Sequence, residues 1–158
     1  MRLNELNFKH NIIYLSFLFV ALSIELILQN MGVKASQMPN FVMCIVFSFA
    51  FIRPVPIWVV TISVIISESF FSTTPFLMAS LILVLYFIII KVLPRGDFNM
   101  QNVHFIVFML IAMVAYSIKI LWLYVTDQRL EVTLILIKML VTIILFPLFY
   151  FLVKRISK

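Results

Sequence analysis

Long apolar stretches, broken by short clusters of charge, proline and amide side chains, run along this chain. A membrane-spanning helix needs about 20 mostly apolar residues, and Asn11–Met31 meets that length. Asn40–Ile52 is equally apolar but short, bracketed by Pro39 and by Arg53-Pro54. Val55–Ser72, Pro75–Leu93, Val103–Val125 and Val132–Val153 complete the set. The pattern predicts an all-α polytopic membrane protein, a single transmembrane domain over residues 1–158, built as a six-helix bundle. Five helices are the alternative if 40–52 does not cross, since its 13 residues cover only about 20 Å of a core near 30 Å. Val33-Lys34-Ala35 loosely resembles a signal-peptide cleavage site, but the apolar run before it exceeds a normal signal core. An uncleaved anchor is therefore expected.

Between the second and third stretches, Pro54 lacks an amide donor and biases Arg53 away from helical geometry. The helix should stop there in a tight, charged turn, with the Arg53 guanidinium reaching headgroups at the end of its apolar stem.

Composition fixes the solvent. Of 158 residues, 65% are hydrophobic and 11% charged, with a mean hydropathy of +1.20. Soluble domains carry about 25% charged residues, so the bilayer is the medium that can hold this chain. Seventeen Phe against two Gly point to bulky, closely packed helices. The single Cys44 lies in an apolar run and reads as a small core residue.

The net charge of +6 does not point to nucleic acid, because the basic residues are scattered without interleaved aromatics. Topology explains it better. With six helices and the N-terminus in the cytoplasm, Arg2, Lys9, Arg53, Lys91, Arg95, Lys154, Arg155 and Lys158 fall inside, and Lys34 and Arg129 outside. The best five-helix arrangement puts seven inside and three outside, against eight and two. Both keep the 91–102 loop and the C-terminus cytoplasmic, where their basic residues would meet anionic lipid. Trp58 and Trp122 fall near span boundaries, as an aromatic belt requires.

Four ionisable residues remain inside the spans: Glu25, Glu68, Lys119 and Lys138. Each costs roughly 2.5–3.5 kcal/mol at a helix centre. Under the six-helix topology all four lie about 6–9 Å below the outer surface, so two acids and two bases share one layer. Gln29, Thr61, Ser72, Ala112, Tyr116 and Thr142 stand at helical spacing from them, the small and polar company that close packing in lipid selects. Three readings are open: a charge-paired structural layer, lysines snorkelling independently to the interface, and a ligand or proton site.

No nucleophile–base set, metal-ligand spacing or glycine-rich phosphate loop is evident, with Gly32 and Gly96 isolated. His10, before the first span, and His104, opening the fifth, are expected at the interfaces. Neither enzymatic activity nor a cofactor nor a metal is expected.

The order "RPVPIW" (53–58), an acidic residue in a third helix, "TTPFLMASLILVLYF" (73–87) and "LFPLFYFLVKRISK" (145–158) resembles the MreD family, the rod-shape-determining inner-membrane proteins of bacteria. The resemblance covers most of residues 45–158, and Arg53, Pro54, Trp58, Pro75, Tyr86 and Pro147 match positions of the family pattern. The family commonly has Asp where this chain has Glu68, and Gly after the proline where this chain has Phe76-Leu77. The resemblance implies a non-enzymatic part of the elongation complex, partnered by MreC and through it by the MreB filament, RodA and penicillin-binding protein 2. It also implies a fold akin to the substrate-binding subunits of energy-coupling-factor vitamin transporters. That kinship supplies the rival expectation, a vitamin pocket at the charged layer.

Overall fold

The structure, a computed structural model, describes the backbone of residues 2–33, 38–71, 74–92, 101–126 and 132–156, and their side chains except at 2–7, 71 and 75. Lys34, Ser72, Arg95, Gly96, Arg129, Lys158 and most of the predicted 91–102 loop lie outside these residues, as does the Pro75 ring. Six helices follow one another: α1 (Arg2–Asn30), α2 (Phe41–Ile52), α3 (Ile57–Phe71), α4 (Pro75–Val92), α5 (Gln101–Val125) and α6 (Val132–Ile156). Within α1, Phe8–Asn30 is long and apolar enough to cross a bilayer, as are α5 and α6, while α2, α3 and α4 are shorter apolar helices.

Each boundary has a local cause. α1 runs nine residues further towards the N-terminus than the apolar pattern predicts and ends in a Schellman motif. There the Gly32 amide bonds Gln29 O at 2.9 Å and the Val33 amide bonds Leu28 O at 3.1 Å. Gly32 takes φ +89°, a conformation that a side chain would strain. α2 stops at Ile52 as expected, with Arg53 extended at φ −155° and its amide bonded to Phe49 O. α3 begins at Ile57 rather than Val55, because the helical bonds of Val59 and Val60 both return to Pro56 O. α6 passes through Pro147 without ending; a spanning helix tolerates such a residue when its neighbours meet the freed carbonyl.

α2, the stretch too short by length alone to be a secure span, is the centre of the bundle. Every residue from Phe41 to Phe51 is buried, and α1, α3, α4 and α6 all pack on it. The other five helices form an arc, in the order α1, α3, α4, α5, α6. A helix that is apolar all round belongs inside, and one enclosed by protein need not match the hydrocarbon thickness. The phenylalanines close this core. Phe47 meets Phe108 at 6.0 Å, Phe51 meets Phe146 at 6.0 Å, and Phe108 stacks on Phe146 at 3.7 Å.

At the C-terminal end of α2 the charged turn is pinned from three sides. The buried Tyr86 hydroxyl donates to Val55 O at 2.6 Å and accepts from the Val55 amide at 2.9 Å. His10 donates from Nε2 to Arg53 O at 2.7 Å, which fixes its tautomer, and its ring lies against Phe49. His104 stacks on Phe51 at 4.8 Å and shares a 2.9 Å hydrogen bond with Tyr150. Both histidines, expected at the interfaces, are buried beside α2: His10 bonds Arg53 O at its end, whereas His104 packs on it through the ring face. Tyr86→Phe removes both bonds to Val55 and leaves two buried backbone groups without them. It should destabilise the folded protein by about 1–3 kcal/mol, read as a lowered melting temperature in detergent.

Candidate functional site

The opposite, N-terminal end of α2 gathers the intramembrane charges. Asn40 caps the helix: its Oδ1 accepts from the Met43 amide at 2.8 Å. Its Nδ2 donates to Glu68 Oε1 at 3.0 Å, and its own amide donates to Thr142 Oγ1 at 3.0 Å. One side chain thus ties α2 to α3, and its backbone ties α2 to α6. The Phe41 amide, first in the helix, faces the Glu25 carboxyl of α1. Two carboxylates therefore sit at the positive end of the α2 dipole, where anions are stabilised.

Thr142 is the junction on α6. Its hydroxyl proton goes to Lys138 O at 2.7 Å, so its lone pairs receive the Asn40 amide and the Tyr116 hydroxyl, the latter at 3.4 Å. Its carbonyl also faces the Cys44 thiol at 3.4 Å, which places Cys44 in the core as expected.

The four predicted residues come together here. Glu25, Glu68 and Lys138 line one cavity of about 10 Å³ with Met38, Pro39, Asn40, Val42 and Ser67. Lys138 acts electrostatically on both carboxylates, and Lys119 acts on Lys138 and Glu68. Glu25, Glu68 and Lys119 are 4%, 5% and 6% exposed, as little as the apolar core. Burial this complete is at odds with independent snorkelling for Lys119, and Lys138 is half-buried.

Of the predicted neighbours, Ala112, Tyr116 and Thr142 are buried on this face and Gln29 is half-buried. Thr61 is not part of it: its hydroxyl bonds back to Ile57 O on the outer side of α3. The inward face of α3 is Val60, Ser63, Val64, Ser67 and Glu68. Ser63 shares a 2.6 Å hydrogen bond with Tyr14 of α1. The polar residues missed in the sequence were Asn40, Ser63 and Ser67. An amide directly before an apolar run is an N-cap signal, and the two serines lie four residues apart, on the buried face of α3 that also carries Glu68.

The family-pattern residues divide between the two ends. Arg53, Pro54 and Tyr86 meet at the turn below α2. Trp58 is 63% exposed at the start of α3, and Pro147 interrupts α6 next to the stacked Phe146. Among the described residues, no three of His, Cys, Asp and Glu are grouped to hold a metal. What the site can do is bond three helices together through a buried polar and charged cluster.

Glu68→Ala removes the acceptor of Asn40 and a carboxylate facing Lys138, and should cost about 3–5 kcal/mol. The loss should appear as less monodisperse protein on fluorescence-detected size exclusion. Replacing Glu68 by Leu together with Lys119 by Met should recover part of it, since Glu25 and Lys138 then remain as an oppositely charged pair. No family model, curated protein or solved structure matches the chain.

Proposed function

We propose that this chain is a non-enzymatic, multi-pass component of the bacterial cytoplasmic membrane, with both termini in the cytoplasm, that serves the rod elongation complex. In this reading it couples MreC, and through it the MreB filament, to peptidoglycan synthesis by RodA and penicillin-binding protein 2. The identification rests on the resemblance to the MreD family. The observation that supports it is the turn at 53–56: Tyr86 hydrogen-bonds Val55, the residue after Arg53-Pro54, so family-pattern residues apart in sequence meet at one turn.

The character of the cavities favours a scaffold over a vitamin-binding subunit. Small-molecule sites run to about 300–1,000 Å³ with a few convergent polar groups, whereas the charged cavity is about 10 Å³. A groove of about 900 Å³ does exist, between α1 and α3, but Phe8, Leu15, Phe19, Trp58, Ile62 and Ile66 line it. It suits an apolar helix of a membrane partner, not a polar vitamin. At the other faces Lys91, lying over the Phe87 ring, and Lys154 and Arg155 at the end of α6 supply positive charge for anionic lipid.

A mild-detergent pull-down of the tagged protein, with mass spectrometry of proteins and small molecules, tests this reading. MreC and the wall-synthesis enzymes should co-purify, and cells depleted of the chain should lose rod shape. Recovery of an ATPase module with a stoichiometric vitamin, or rods that grow normally on depletion, would sink it.

A further inference from the structure

The cavity at the α2 N-terminus holds a buried carboxyl oxygen, Glu25 Oε2, that none of the described residues bonds. Glu25 as a whole is 4% exposed. A carboxylate oxygen in such a place needs a donor. Around the same cavity stand Glu68, which spends Oε1 on Asn40 and keeps further lone pairs, and Lys138, whose ammonium carries three N–H donors. Ser67 gives its proton to Val64 O at 3.0 Å and keeps its lone pairs.

We propose that this cavity is a binding site for a single water molecule, which donates to the Glu25 and Glu68 carboxylates and accepts from the Lys138 ammonium. Volume sets the number: about 10 Å³ corresponds to the centre positions of one water and no more. The partners set the identity. Buried waters make about three hydrogen bonds, and two acceptors with one strong donor match the two protons and a lone pair of water. A metal cation does not match. Lys138 borders the cavity itself, Lys119 acts on the same cluster, and the two bases already balance the two acids. A further positive charge would face an ammonium at close range, without the six or more oxygens a hard cation such as calcium seeks.

The site makes the charged layer a hydrated one. Glu25 of α1 joins Glu68 of α3 and Lys138 of α6 through one shared molecule, so three helices of the arc are linked at the head of α2.

The test is a crystal structure of the full chain in a lipidic phase, at a resolution that shows ordered water, with parallel crystals soaked in thallium(I). The expected result is one peak about 2.7–3.1 Å from Glu25 Oε2 and Lys138 Nζ, without anomalous signal, retained in Glu25→Gln and lost in Glu25→Leu. A thallium signal at the position would make it a cation site and overturn the proposal. So would a wild-type map with no peak there, or a peak that persists in Glu25→Leu. Because the wild-type map decides by itself, a Glu25→Leu chain that fails to fold leaves the proposal falsifiable.

Discussion

A helix leaves four amides and four carbonyls without intrahelical partners at its ends, and in an apolar bundle no bulk water meets them. α2 raises this problem in its severest form, because its sides are enclosed by protein and its twelve residues span only about 18 Å. Its head is buried at Asn40, and its foot ends in the half-buried Arg53-Pro54 turn. The polar residues of this chain are distributed as the answer: Asn40, Thr142 and the two glutamates at the head, and His10, Arg53, Tyr86 and the His104–Tyr150 pair at the foot. The remaining helices are held where they are because their polar groups must reach those two places.

This arrangement also separates two roles that intramembrane charge can play. A binding site keeps room and convergent groups for a guest, whereas the groups here are aimed at one another and at the backbone of α2. The carboxylates take amide donors and a helix dipole, the lysines balance their charge, and the space left over is that of a water. On the outer faces, large apolar side chains such as Phe19, Phe70 and Phe76 stand exposed. In lipid such exposure carries no penalty, so it marks a face as available without naming what meets it.

The amino-acid sequence disclosed the number and type of the elements, because span length and the Arg53-Pro54 break are strong, local signals. Helical rise alone assigned Glu25, Glu68, Lys119 and Lys138 a common depth; the structure lines one cavity with Glu25, Glu68 and Lys138. What stayed hidden was which helix is central. Apolar residues face both lipid and core here, so hydrophobic periodicity, the signal that orients helices in water, is erased. Small polar residues are the surviving markers of the inside, and on α3 the choice between Thr61 and the Ser63–Ser67 stripe needed the neighbouring helix to settle it. Asn40 read as a mere boundary because the bonds that tie it to other helices go to residues 28 and 102 positions away.

That last separation has a consequence for how the molecule is made. Asn40 reaches its partner on α6 only after another 102 residues have been added. At about 5–20 residues per second, the central helix waits on the order of ten seconds for the element that packs most extensively on it. Until then α2 has α1, α3 and α4 around it and the Asn40–Glu68 bond at its head, but its largest packing surface stays open. The earliest helices must act as a nursery for α2, and assembly ends, rather than begins, with the closing of the centre.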